Sequence, residues 1–185
     1  MKRVILLLGG ARSGKSHYAQ ELAKQMSDKV LFVATAEALD EDMRLRIEKH
    51  KQERPSGWRT LEAPLQVGKN IQSHIGYTPL VILDCVTLLV NNIFCLFDEK
   101  QFDKIDDSVL EKKVTIEIEG LLNCIQNTEA SYIIISNEVG LGLVPDNRMG
   151  RLYRDILGRA NQMLAQHADE VYLMVAGIPL RVKNP

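Results

Sequence analysis

The chain has 185 residues, 45% of them hydrophobic and 25% charged, and its 23 Lys and Arg against 24 Asp and Glu leave a formal net charge of −1. This length predicts one domain, 1–185, and the composition excludes disordered and fibrous classes. The charge balance speaks against a dedicated nucleic-acid binder, which carries a basic excess, and the odd set Cys85, Cys95 and Cys124, without C-x-x-C spacing, speaks against a disulfide framework or zinc ribbon and for a reducing cytosol.

In chain order, residues 4–8 are a short, wholly apolar strand behind Met1-Lys2-Arg3. The run is too short for a signal-peptide core of about 7–15 residues. No later stretch approaches the ~18 apolar residues of a membrane span. The expectation is a cytoplasmic protein with no membrane span. Residues 15–26 read as a helix with Ala19, Leu22, Ala23 and Met26 on one face, and 30–34 as a second strand. Residues 37–54 are strongly charged and helical, with a narrow apolar stripe of Leu39, Met43 and Ile47, and Pro55 stops them. A short strand over 58–62, a helix over 65–74 and a buried strand over 80–83 ending in Asp84 follow. A helix starts at 86–91, and 95–106 is the least periodic stretch, read as a loop or helical insertion.

The C-terminal half reads as a long helix over 108–126, a strand over 132–136 and a Gly-rich irregular stretch over 137–146. A helix over 148–167, a strand over 171–175, a turn at Ala176-Gly177 and a returning strand over 178–183 complete it. Strands apolar on both faces, alternating with helices, predict an α/β fold, which the glycine-rich motif at residues 9–16 makes one of the phosphate-loop, RecA-like kind. Its mostly parallel sheet is covered by helices on both faces, with an antiparallel C-terminal hairpin at one edge.

Gly9-Gly10-Ala11-Arg12-Ser13-Gly14-Lys15-Ser16 matches G-x-x-x-x-G-K-[ST], between a buried strand and a helix. Glycines permit positive φ and close backbone approach, so successive N–H groups converge on phosphates at a helix N-terminus. Lys15 is then the residue that reaches the β- and γ-phosphates, and Ser16 a ligand for Mg²⁺. Asp84, at the end of an apolar strand, is the candidate second metal residue. At this point a small-molecule kinase, a recombinase-type ATPase and a GTPase are all open. Arg46, His50 and Arg54 are spaced four apart, on one side of a helix. Guanidinium groups depress the pKa of an imidazole between them, while a helix C-terminus close by raises it, so His50 reads either as a neutral nucleophile toward phosphorus or as a solvated surface residue of a charged helix.

The string R-I-x-x-H-x-x-x-R-P-x-x-W-x-T-x-E over residues 46–62, after the phosphate loop, resembles the bifunctional adenosylcobinamide kinase / adenosylcobinamide-phosphate guanylyltransferase family. Asp84-Cys85-Val86-Thr87-Leu88 and the loop from Ser136-Asn137-Glu138 to Pro145 are similar to further blocks of that family. So are the helix with Arg151, Arg154, Asp155, Gly158, Asn161 and Gln162 and the hairpin Gly177-Ile178-Pro179-Leu180. Leu89 departs from the family's usual Trp, and 93–107 matches no block. The resemblance implies phosphorylation of the aminopropanol arm of adenosylcobinamide with ATP or GTP. Transfer of GMP from GTP to adenosylcobinamide-phosphate then follows, through a guanylylated His50, as does a homotrimer. It also implies nucleotide contacts at the phosphate loop, Ala34, Thr35, Ala36, Lys51, Gln52, Glu53, Arg54, Glu62 and Asp84. His17, His74 and His167 read as surface residues, and Glu138 as a loop anchor or substrate contact.

Overall fold

A computed structural model describes residues 1–37, 41–52, 54–97 and 105–184; the side chains at positions 42, 43, 46, 49 and 50 lie outside that description. The elements are β1 (Val4–Gly9), α1 (Lys15–Met26), β2 (Val30–Ala34), α2 (Glu41–Gln52), β3 (Arg59–Glu62), α3 (Val67–His74), β4 (Leu80–Asp84), α4 (Val86–Phe94), α5 (Asp107–Gln126), β5 (Ser131–Ile135), α6 (Arg148–His167), β6 (Glu170–Val175) and β7 (Ile178–Lys183). The strands form one seven-stranded sheet in the order β3-β2-β4-β5-β1-β6-β7. All pairs are parallel except β6 with β7, the hairpin expected at one edge.

Burial on both sheet faces explains the near-continuous apolar strands. Leu6, Leu31, Val33, Val81, Leu83 and Ile134 face a layer built from α3, α4, α5 and α6. Ile5, Leu7, Phe32, Ile82, Ile133 and Ile135 face the opposite side, where Ala19 and Ala23 of α1 pack. Small residues at those two positions let α1 lie close across β1, β4 and β5.

Side chains distant in sequence set several boundaries. The helix expected from residue 65 begins at Val67. The Glu117 carboxylate accepts from Gln66 N (3.1 Å) and Val67 N (2.7 Å), capping α3 from α5. Asp106 and Asn147 cap α5 and α6 by accepting from Ser108 N and Gly150 N. The charged helix expected over 37–54 spans Glu41–Gln52, with 38–40 and Glu53 outside the described residues. Within the non-periodic stretch, 98–104 also lie outside them, while 95–97 form a turn and α5 starts at Asp107. The strand expected over 132–136 runs one residue earlier, Ser131–Ile135, since Ser131 already pairs with Leu80 and its N–H donates to Pro79 O at 2.9 Å.

Candidate active site

The carboxyl ends of β1, β2, β4 and β5 gather the expected residues at one edge, where ligands of open parallel sheets bind. Gly9 (φ 151°) and Gly14 (φ 93°) bend the phosphate loop. A Cβ at Gly9 would lie 2.7 Å from Met174 O, and one at Gly14 would lie 3.0 Å from Gly177 Cα. The hairpin turn therefore presses on the loop from outside, and Gly177 N donates to Ser13 O at 3.0 Å. Lys15 is buried, and its ammonium donates to Gly9 O (2.9 Å) and Gly10 O (2.6 Å). Burial draws its pKa down, offset in part by Cys85 and Asp84. Gly10, Ala11 and Arg12 are exposed.

Ser16 Oγ donates to Asp84 Oδ2 at 2.9 Å. The contact is not a product of adjacent strands, since β5 lies between β1 and β4. It arises because α1 starts at the loop and crosses β5 toward β4. Thr35 reaches the same edge but is fully buried. Its hydroxyl donates to Cys85 O (2.7 Å) and accepts from Cys85 N (2.8 Å), so it holds the peptide that carries Asp84. The Asp84–Cys85 peptide is cis. Burial, with the charge of Asp84, pushes the Cys85 thiol up to about 12, which keeps it protonated and poorly nucleophilic.

A cavity of about 290 Å³ opens beside this contact; Ser16, Ala34, Ala36, Ile47, Arg54, Asp84, Thr87 and Asn137 are in its wall. Its size is near the lower end of ligand pockets, about 300 Å³. A larger cavity, about 550 Å³, is at the opposite edge beside Pro79 and Ala130, away from the phosphate loop. The Arg54 guanidinium stacks on Phe32, 3.7 Å from the ring centroid. Its Nε is buried without a partner among the described residues. A stacked cation with an unused donor suits a phosphate oxygen. Lys51 pairs with Glu62 at 2.5 Å on the exposed side, joining α2 to β3, and Gln52 is exposed. His50 falls in α2, but its side chain, like all of Glu53, is outside the described residues. His17, His74 and His167 are exposed, as expected. Glu138 Oε1 accepts from Gly140 N (2.5 Å), the anchoring alternative for that residue.

Sequence reasoning missed two polar pins. Asn92 is buried in the apolar helix α4, and its amide donates to Thr35 O (2.8 Å) and Pro64 O (3.0 Å). The pair Asn91-Asn92 inside the otherwise apolar VTLLVNNIF was the available signal. The second pin joins Thr87, Asn137, Tyr153 and Asn161. Thr87, Asn137 and Asn161 fall in separate sequence blocks, and no local pattern joins them, because the members come from two helices and a loop.

Residues 5–182 match the family model described as "Cobinamide kinase / cobinamide phosphate guanyltransferase". The chain is 43% identical over 183 residues to the "Bifunctional adenosylcobalamin biosynthesis protein CobU" of Escherichia coli (strain K12), spanning 97% of this chain and 99% of that protein. Identity is 40% to the protein of the same name from Salmonella typhimurium (strain LT2), over 97% and 99% of the two chains. It is 37% to "Bifunctional adenosylcobalamin biosynthesis protein CobP" of Pseudomonas aeruginosa, over 97% and 96%. Among solved structures, the RadB recombinase is alike in fold, with a TM-score of 0.51 at 14% identity over 92% of this chain and 73% of that one.

Proposed function

From the premise that the chain belongs to the cobinamide kinase / cobinamide phosphate guanyltransferase family, we propose that it catalyses two transfers on one corrinoid arm. In the first, the hydroxyl oxygen of the aminopropanol arm of adenosylcobinamide bonds to the γ-phosphorus of ATP or GTP. The bond to the β–γ bridging oxygen breaks, and the hydroxyl proton is lost. In the second, a neutral His50 nitrogen bonds to the α-phosphorus of GTP and pyrophosphate leaves. A phosphate oxygen of adenosylcobinamide-phosphate then displaces the histidine, giving adenosylcobinamide-GDP.

The observation that carries this reading is the Ser16–Asp84 contact at the mouth of a cavity that Arg54 also lines. It sets a phosphate loop, a hydroxyl–carboxylate pair and the stacked Arg54, with its unused Nε, around one space. The donor set is all oxygen and fits Mg²⁺, which takes one or two protein oxygens and fills its octahedron with phosphate and water. Among the described residues no cluster of three or more His, Cys, Asp or Glu competes for it. Mg²⁺ held by Ser16 and Asp84 would neutralise charge on the β- and γ-phosphates. Lys15 then binds phosphate oxygens, and Arg54 adds positive charge on the α2 side, where Lys51 is paired with Glu62. Ile47 of α2 lines the cavity one turn before position 50, which supports His50 as the guanylyl acceptor.

A homotrimer in the cytoplasm completes the proposal. Val175, Ile178 and Leu180 of the hairpin are more than half exposed, an apolar surface suited to a second copy. No helix among the described residues is long and apolar enough to cross a membrane.

The test separates the two reactions. With Mg²⁺, adenosylcobinamide and α-labelled GTP, the wild type gains one alkali-stable, acid-labile GMP on His50. Lys15→Ala lowers phosphorylation of adenosylcobinamide by about 10²–10³-fold. His50→Ala makes adenosylcobinamide-phosphate but no adenosylcobinamide-GDP. Label on another residue, or full GMP transfer by His50→Ala, rejects the mechanism.

A further inference from the structure

We propose that the Asn137 carboxamide is a phosphoryl-binding group of the kinase step, donating from its NH₂ to an oxygen of the γ-phosphoryl as it passes to the acceptor. The inference rests on the kinase reading above for its reaction, and on topology and hydrogen bonding for its geometry.

Strand β5 lies between β1, which feeds the phosphate loop, and β4, which ends in Asp84. Ile135 is in register with Leu7 on one side and Asp84 on the other. A triphosphate held by the loop, with a metal that Ser16 and Asp84 would hold, would therefore run over the end of β5. Residues 136–138 occupy that end. Ser136 N donates to Leu7 O at 2.9 Å, and Glu138 N donates to Gly9 O at 3.0 Å, so the segment is laced to the base of the loop.

Asn137 is held more tightly still. Its N–H donates to Thr87 Oγ1 at 2.7 Å, and its carbonyl accepts from Asn161 Nδ2 at 3.0 Å. Thr87 is fixed in turn, because Tyr153 OH donates to Thr87 O at 2.8 Å. The backbone of Asn137 thus has no spare polar group, and two helices set its position. The side chain is in the opposite situation. The residue is half-buried and lines the cavity with Ser16, Arg54 and Asp84, and the hydrogen bonds that Asn137 makes among the described residues are those of its backbone, which leaves the carboxamide without one. A fixed backbone presenting an unused donor to a space bounded by a metal-site carboxylate and an arginine is a preorganised site for an anionic oxygen. The neighbouring Glu138 does not share this role, since its carboxylate is turned to Gly140 N.

The chemistry predicts an order among substitutions. Ala removes the donor. Asp keeps the shape, removes the donor and sets a negative charge against the phosphoryl oxygens, so it is worse than Ala. A purely structural Asn137 would tolerate Asp, because its backbone contacts survive. A contact to the acceptor hydroxyl instead of the phosphoryl would favour Asp over Ala, since a carboxylate accepts that proton.

The experiment compares the wild type, Asn137→Ala and Asn137→Asp in the full chain with Mg²⁺. Calorimetry gives the Kd of GDP and of a hydrolysis-resistant GTP analogue, and steady-state assays give kcat and KM for adenosylcobinamide phosphorylation. The expected kcat loss for Asn137→Ala is about 10²-fold, with KM for adenosylcobinamide within about threefold. Asn137→Asp is expected to weaken the GTP analogue about tenfold or more, and GDP by no more than about twofold. Equal weakening of both nucleotides, an Asp variant as active as the wild type or better than Ala, or an unchanged kcat for Ala overturns the proposal. The binding arm needs no corrinoid. A wild type that fails to phosphorylate adenosylcobinamide therefore rejects the functional reading, while the GTP-against-GDP contrast still decides the role of Asn137. Asp is isosteric with Asn and secures the test should the Ala variant fold poorly.

Discussion

Replacing Thr35 by Val tests the tie between the end of β2 and the peptide that follows Asp84. The two side chains have nearly the same shape, so the change removes a hydroxyl and little else. That hydroxyl is wholly buried, donates to Cys85 O and accepts from Cys85 N. The two ends of the bond differ in consequence. Cys85 O keeps a second donor, because Leu89 N also reaches it at 3.1 Å. Cys85 N–H loses its recorded acceptor and is left buried, and an unsatisfied buried group costs roughly 1–3 kcal/mol. About 2 kcal/mol is the expected loss, which for a chain of this size lowers Tm by about 4–8 °C. Thr35→Ser keeps the hydroxyl and loses only a methyl group, so about 1 kcal/mol is expected. The released peptide directly follows Asp84, so kinase turnover should fall further than the lost stability explains at a temperature where both variants are fully folded. Thermal unfolding and kcat at 25 °C measure the two effects. A Val variant that melts within about 1 °C of the wild type would refute the account of Thr35 as a pin.

The hairpin brace and the buried ion cluster carry further expectations. Gly14→Ala sets a Cβ 3.0 Å from Gly177 Cα at φ 93°, so it should cost about 1–3 kcal/mol and raise the KM for the triphosphate; an unchanged Tm and KM would show that the turn does not press on the loop. Glu170 is buried where β1, β6 and β7 meet, bonded to Arg3, Arg181 and Tyr172. Burial pushes its pKa up, but the hydrogen bonds from Tyr172 and Arg3 and the charges of Arg3 and Arg181 outweigh it, and the net shift is down. A depressed carboxylate stabilises the fold fully above its unfolded pKa of about 4.3 and loses that contribution as pH falls through the lower folded value. Urea melts should therefore show Glu170→Gln less stable than the wild type at pH 7, with the gap narrowing below about pH 4.3; a gap that widens on acidification would reverse the sign.

The phosphate loop was legible in the chain because its chemistry is local: eight consecutive residues supply the glycines, the lysine and the hydroxyl. The strands were legible for the same reason, since burial on both faces demands runs such as Leu80-Val81-Ile82-Leu83, and the hairpin followed from the turn at Ala176-Gly177. The identity of the family also lay in the sequence, as ordered blocks from the loop to the last strand.

What the tertiary structure alone decided is the company these residues keep. Sequence pattern says that a strand is buried, not which strands flank it, so the insertion of β5 between β1 and β4 had no local sign. That insertion brings Asn137 to the space between the loop and Asp84, and it makes the crossing of α1, not strand adjacency, responsible for the Ser16–Asp84 contact. Thr35 shows the same limit. Its place at a strand end was readable, but whether a buried hydroxyl meets a ligand or a neighbouring peptide depends on a partner fifty residues away. Pairings over such separations are chosen by packing of whole layers, and no window of sequence contains both halves of the contact.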